Sequence, residues 1–386
     1  MSNPVEFKHI GSQRDLFEIR DGVTFLNCAN MSPQLRSVTS SGIEAVKSKE
    51  SPWLISPPDW FSAPERLREL AAKLIGVDAE AVALVPSVSY GIAIAAANVK
   101  VERGQYIVLL NEQFPSNVYA WKVLAAQQNA NIRTVQREPG GTWTDAVLAA
   151  IQNDTAVVTV PNCHWTDGSL IDLVQVGAKA RSVGAALVVD ASQSLGAYPI
   201  DIMKVQPDFL VSVGYKWLLG PYGLGYLYVA PVWREQGLPI ENSWLSRAGS
   251  EDFAGLVDYQ DEYRSGARRF DMGEFPQFVL VPMAIEALRQ ILNWGVENIQ
   301  NSLAILTKEI EQRVLKIGGS ALPAGKRAAH MIGIRLPNGL PDQLSKRLAS
   351  ENIFVSIRGD SIRVAPHLYN DKADIDRLFE VLDEIL

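Results

Sequence analysis

Seven runs of five or six mostly apolar residues recur along the first 230 positions: AVALVP (81–86), YIVLL (106–110), NIRTV (131–135), AVVTV (156–160), ALVVD (186–190), FLVSV (209–213) and GYLYV (225–229). A run that is apolar at successive positions, rather than at alternate ones, must be buried on both faces. Most of the runs are separated by segments of helix length, which is what a crossover between parallel strands requires. The pattern predicts an α/β architecture: a mixed, mainly parallel sheet with helices on both sides. The last two runs are joined by a short Gly/Pro connection, so one strand there is expected to be antiparallel.

The segments between and beyond these runs carry helical periodicity. In SAPERLRELAAKLIG (62–76), Ser62 and Glu65 have capping-box spacing, Leu67, Leu70, Ala71 and Leu74 share one face, and Gly76 is the stop signal. Helical patterns at about 277–293 and 295–317 lead into a different region, with HMIGIRLP, PDQLSKRLAS, IFVSI, SIRV and a final helix from about 371 that Asn370 could cap. That region reads as a smaller α+β unit. For a chain of 386 residues two domains are the natural expectation: an N-terminal arm (1–24), a large domain (25–275) and a small C-terminal domain (276–386), joined by a rigid helix.

Charge and composition narrow the partners. A net charge of −7, with Lys and Arg scattered, offers no basic field to nucleic acid or an anionic membrane surface. The opening residues lack the apolar core of a secretory signal, and no apolar run reaches the roughly 18 residues of a membrane span. Only Cys28 and Cys163 occur, which suits free thiols in a reducing cytoplasm. The histidines, His9, His164, His330 and His367, are dispersed, so no metal site is expected. Dinucleotide, Walker, G-x-S-x-G and H-E-x-x-H signatures are all missing.

Ligands of open α/β sheets bind beyond the carboxyl ends of the strands. The segments expected there are PSVSYG (86–91), NEQFPSNVYAW (111–121), PNCHWTDG (161–168), DASQSLG (190–196) and GYKW (214–217). Lys216 stands between two apolar runs among Gly214, Gly220, Gly223 and Gly225. An ammonium against such a wall loses its proton more readily, and the free amine condenses with carbonyls; the alternative is a lysine that snorkels to water. Asp190 ends the run ALVVD and can face the same cleft. A carboxylate that keeps a pyridine nitrogen protonated, beside an imine-forming lysine, is the pair that pyridoxal phosphate chemistry needs. Ser87, the Val88 amide and Ser89, at the start of an apolar helix, suit a phosphate or simply cap that helix.

With DASQSLGAYPIDI followed by DFLVSVGYKWLLGPYGLGYLYV, the chain resembles the class V aminotransferases from TFLNCANMSP near residue 24 to its end. These are pyridoxal-phosphate enzymes of fold type I that include cysteine desulfurases, kynureninases and isopenicillin N epimerase-like proteins. The resemblance implies that fold, with Lys216 holding the cofactor aldehyde, Asp190 its pyridine nitrogen, Gln193 its ring hydroxyl or the lysine, and Tyr215 with Ser87, Val88 and Ser89 its phosphate. Phe114 would stack on the ring, and His164 would join the cofactor contacts. FPS matches kynureninases best, although Asn117 replaces an Asp of their pattern. Arg363, in SIRVAPHLYN, would grip the substrate carboxylate, with Asn30 also on the substrate side. RRFDMGEFPQ (268–277) resembles a loop that reaches a partner subunit's phosphate, which implies a homodimer; Glu274 stands where Thr or Asn is usual.

The implied reaction is transfer of an amino group from an amino acid to a 2-oxo acid. The alternatives are a kynureninase-like hydrolase or lyase, an epimerase, and a module that binds the cofactor without catalysis. Cysteine desulfurase needs a loop thiol, and NIFVSIRGDSIRV has none.

Overall fold

The computed structural model describes residues 7–385; the first six residues of the expected arm and Leu386 lie outside it. All seven apolar runs enter one sheet, as β1 (Val82–Val85), β2 (Tyr106–Leu110), β3 (Asn131–Val135), β4 (Thr155–Pro161), β5 (Ala186–Asp190), β6 (Phe209–Val213) and β7 (Gly225–Val229). Their spatial order is β1-β7-β6-β5-β4-β2-β3. Only β7 runs against its neighbours, because the connection from β6 is too short to cross over; the other pairings are parallel.

Alternate residues feed two cores. Leu84, Val108, Val158, Leu187, Val189 and Leu210 belong to one face, and Val85, Ile107, Val157, Val188, Phe209 and Val211 to the other. Each such side chain contributes roughly 1.5–3 kcal/mol on burial, which is why the runs show no polar alternation.

The first long helix, α1 (Asp59–Ile75), begins three residues before the expected Ser62. Asp59 Oδ2 accepts the Ser56 amide and hydroxyl at 2.8 and 2.7 Å and so organises the helix start. Glu65 is not a capping-box partner; it turns to Arg268 at 2.7 Å. Gly76 ends the helix in the left-handed region, with φ +82°, which a side chain would strain.

Helix α2 (Val88–Asn98) starts at the end of β1, with Ser87 Oγ accepting the Tyr90 amide at 3.2 Å. Helices α3 (Leu280–Trp294) and α4 (Val296–Lys316) then lead to a four-stranded antiparallel sheet of β8 (Ser320–Ala321), β9 (Ile332–Arg335), β10 (Ser356–Arg358) and β11 (Ser361–Val364), in the order β10-β11-β9-β8. Ile310 and Val314 of α4 pack on it with Ile375, Leu378 and Leu382 of the last helix, α5 (Lys372–Ile385). Asn370 is not its cap: Asn370 Oδ1 turns back to the His367 amide, and Asp371 Oδ1 accepts the Ala373 amide at 2.9 Å.

The beginning of the chain joins the two sheets. Thr24–Phe25 pairs in parallel with Ile353–Phe354, the Cys28 amide donates to Ala365 O at 3.0 Å, and the Ser32 amide to Tyr215 O at 3.1 Å. Among the described residues no helix is long and apolar enough to cross a membrane.

Candidate active site

The carboxyl ends of β4, β5 and β6 open on a cavity of about 270 Å³ whose wall includes Ser87, Phe114, Trp165, Asp190, Lys216 and Tyr222. Lys216 is 7% exposed, and its Nζ lies 5.4 Å from the Phe114 ring centroid and 5.7 Å from that of Tyr215. Among the described residues this nitrogen has no hydrogen bond or ion pair. Burial pushes the ammonium down to about 8; Asp190 opposes that shift, and Arg363 and Arg358 add to it. The loop around the lysine closes on itself, with Gly214 N donating to Leu224 O at 2.8 Å and Gly220 N to Gly214 O at 2.9 Å. A Cβ on Gly214 would lie 2.9 Å from Leu224 O, so no larger residue permits this closure.

Asp190 accepts the Ser192 amide at 3.0 Å through Oδ1, and burial pushes its carboxyl up while the Ser192 bonds pull it down. Gln193 is held across the lysine segment: Nε2 donates to Ala29 O at 3.0 Å, and Oε1 accepts Trp217 Nε1 at 2.9 Å. One Nε2 hydrogen is left for a ligand. Ser87, Val88 and Ser89 form the wall at the start of α2, with the two hydroxyls 2.9 Å apart. Tyr215 is in the same wall, its ring 4.6 Å from that of Tyr222.

Three expected residues, His164, Asn30 and Arg363, are not part of this cavity wall. His164 lies between Cys163 and Trp165, which both line the cavity, but is itself outside the wall, at the start of a turn in which Gly168 N donates to His164 O at 3.0 Å. It stacks on Trp143 at 5.1 Å and meets Thr166 Oγ1 at 2.8 Å, and burial pulls it down to about 4, so it is neutral. Asn30 is exposed and outside the cavity wall. The asparagine linked to Arg363 is Asn27, whose Oδ1 accepts Ser356 Oγ at 2.8 Å; that hydroxyl accepts Arg363 Nη2 at 3.3 Å.

Arg363 is 1% exposed, and its Nη1 donates to Trp165 O at 2.8 Å. Its Nε has no partner, and no carboxylate among the described residues pairs with it. Burial, followed by the charge of Arg358, pulls the guanidinium down to about 9. A buried cation of this kind is costly unless an anion completes it.

Sequence reasoning passed over Gln113, Trp165 and Tyr222, all in the cavity wall. Gln113 is buried with both amide atoms unpartnered, and its position next to Phe114 was the available signal. The expected subunit-crossing loop is anchored within its own chain. Asp271 holds Arg68 at 3.0 and 2.7 Å and the Leu84 amide at 2.7 Å, while Glu274 is exposed. Among the described residues no three His, Cys, Asp or Glu side chains group as a metal site.

This combination of sheet topology and strand-end lysine is that of fold type I. Residues 60–378 match the family Aminotransferase class-V, and the chain belongs to that family. It is 27% identical over 383 residues to the "uncharacterized aminotransferase YcbU" of Bacillus subtilis (strain 168), covering 98% of each chain. It is 24% identical over 341 residues to a "probable cysteine desulfurase" of Methanothermobacter thermautotrophicus, covering 83% of each. Among solved structures, a C-DES variant with glycine covalently linked to its PLP cofactor superposes with a TM-score of 0.86 at 18% identity, over 97% of this chain and 100% of that one.

Proposed function

We propose that the protein is a pyridoxal-phosphate-dependent enzyme that moves the amino group of an α-amino acid to a 2-oxo acid. The observation that carries the reading is Lys216: a buried amine with no partner, depressed to about 8, on one cavity wall with Asp190. The chemistry of the wall fits the cofactor. Two hydroxyls at a helix N-terminus suit its phosphate, a buried carboxylate its ring nitrogen, and the aromatic Phe114 its ring face. When bound, pyridoxal phosphate supplies an electrophilic aldehyde and an electron-withdrawing ring.

The chain's own residues do the rest. Asp190 holds a proton at the ring nitrogen, and Lys216 takes and returns the proton at the substrate Cα. Arg363 grips the α-carboxylate in two parallel hydrogen bonds and so fixes which Cα bond is aligned for cleavage. The Phe114 and Trp165 rings, 5.6 Å apart, exclude water. The enzyme acts as a homodimer, a reading supported by large apolar side chains left in solvent, Trp53 at 78%, Tyr222 at 68% and Tyr259 at 94% exposure. The domain division at residue 275 belongs to the same proposal.

A second reading, sulfur removal from cysteine, draws on the Methanothermobacter relative and on Cys163 in the cavity wall. Against it, burial pushes the Cys163 thiol well up, away from the thiolate that would accept sulfur, and the β10–β11 hairpin has no cysteine.

The test is borohydride reduction of the purified protein followed by peptide mass spectrometry, then product analysis with an amino acid panel and a 2-oxo acid. The expected outcome is a pyridoxyl adduct on Lys216 and a new amino acid formed from the 2-oxo acid. An adduct on another lysine sinks the reading; alanine and persulfide formed from cysteine would select the second one.

A further inference from the structure

Arg358 and Arg363 project from the same face of the β10–β11 hairpin. In its register Ser356 stands opposite Arg363 and Arg358 opposite Ser361, and Arg358 is two residues from Ser356 on the same strand. The two guanidinium groups are therefore diagonal neighbours, a placement that is repulsive unless an anion lies against it. Trp165 separates them. Its carbonyl holds Arg363 Nη1 at 2.8 Å, its ring lies 5.4 Å from Arg358 Cζ, and its side chain belongs to the cavity wall with Lys216.

No acid among the described residues neutralises Arg358. Its Nη1 donates only to the adjacent Ile357 O at 2.7 Å, its Nε is buried without a partner, and it makes no ion pair among the described residues. The nearest acid on the hairpin, Asp360, is turned to Arg335 at 3.1 Å, and Asp167 is taken by Arg137 at 2.9 Å. Among the described residues the cavity wall holds one carboxylate, Asp190, which acts on Lys216, and neither Arg358 nor Arg363 makes an ion pair. A substrate with one carboxylate answers Arg363 and leaves Arg358 unanswered.

We infer that Arg358 holds a second anionic group on the substrate side chain, so that the amino donor is a dicarboxylic amino acid, or its sulfinate or phosphonate analogue, and the acceptor a 2-oxo diacid. The inference rests on the amino-acid reading of the site given above. Trp165 is then a spacer: its ring flattens the Arg358 fork while its carbonyl fixes Arg363, setting two anion grips at a defined separation.

The probes are simple carboxylates titrated calorimetrically into the cofactor-loaded protein: succinate against butyrate, glutarate against pentanoate, adipate against hexanoate. At least one diacid should bind tenfold or more tightly than the monoacid of equal carbon number, since a charge-assisted hydrogen bond is worth that ratio. Arg358→Gln should abolish the preference with the monoacid affinity kept, and Arg358→Lys should restore part of it. Arg363→Gln should weaken both classes. Equal binding of diacids and monoacids by the parent protein, or a preference that survives Arg358→Gln, overturns the inference. The borohydride adduct on Lys216 is read separately, so a failed anion preference with that adduct intact leaves the enzymatic reading standing.

Discussion

The depressed lysine makes a quantitative claim on the cofactor-free protein. With a pKa of about 8 instead of 10.5, the neutral fraction of Lys216 at pH 7 rises from roughly 3 in 10,000 to about one-tenth, a gain of about 300-fold. Amine nucleophilicity falls with basicity, and a slope on the order of 0.4–0.5, as for thiols, returns roughly 15-fold, leaving a net advantage of about 20-fold. The assay is trapping by pyridine-4-carboxaldehyde with cyanoborohydride, followed peptide by peptide, with exposed lysines such as Lys204 as internal reference. Lys216 labelling should reach half its maximum near pH 8. Asp190→Asn should move that midpoint down, because the Asp190 charge holds the proton on, and Arg363→Gln should move it up. Linkage supplies a second readout. Between pH 8 and 10.5 the unfolded lysine is protonated and the folded one is not, so stability rises with pH across that window. The parent protein should gain about 3 kcal/mol relative to Lys216→Met from its lower to its upper end, measured by urea unfolding. A labelling midpoint above pH 10, or an upward shift in Asp190→Asn, would refute the argument that desolvation activates this amine.

Light scattering should give a particle of about 85 kDa, twice the 42.4 kDa chain, and a monomer with full cofactor occupancy would rule the homodimer out. Asp271→Ala leaves Arg68, which is 0% exposed, with Glu65 at 3.3 Å as its only ion-pair partner among the described residues, beside the Val82 carbonyl. The cost should be about 3 kcal/mol in chemical denaturation, recovered only in part by Arg68→Met with Asp271→Leu, which still leaves the Leu84 amide without its acceptor; a loss below about 1 kcal/mol would show that the pair is not needed.

Residues whose environment follows from chain direction were legible in the sequence. The inner runs are strands because double-sided burial leaves little room for polar positions, NIRTV being the partly exposed edge strand, and Lys216 and Asp190 share a wall because both lie at carboxyl ends of strands in one sheet. Residues whose role depends on which way a side chain turns were not. His164 and Trp165 are neighbours in a cleft segment, and only the turn over residues 165–167 decides that the tryptophan faces the cavity. Asn27 and Asn30 differ by one turn of chain, and pairing with the distant segment 353–365 selects Asn27. Capping failed in the same manner at Glu65, where a long-range arginine outbids a local amide.

The strand pairing of Thr24–Phe25 with Ile353–Phe354 has a temporal meaning. The Asn27–Ser356 hydrogen bond spans 329 residues, so it cannot form until nearly the whole chain has been synthesised. The segments that would receive the cofactor, from Ser87 to Lys216, lie within one sheet and leave the ribosome well before the β10–β11 hairpin. The arginine proposed to grip substrate, Arg363, is thus synthesised after every residue of the cavity wall. A nascent chain passes through a stage in which its reactive amine already has walls but nothing yet selects what approaches it.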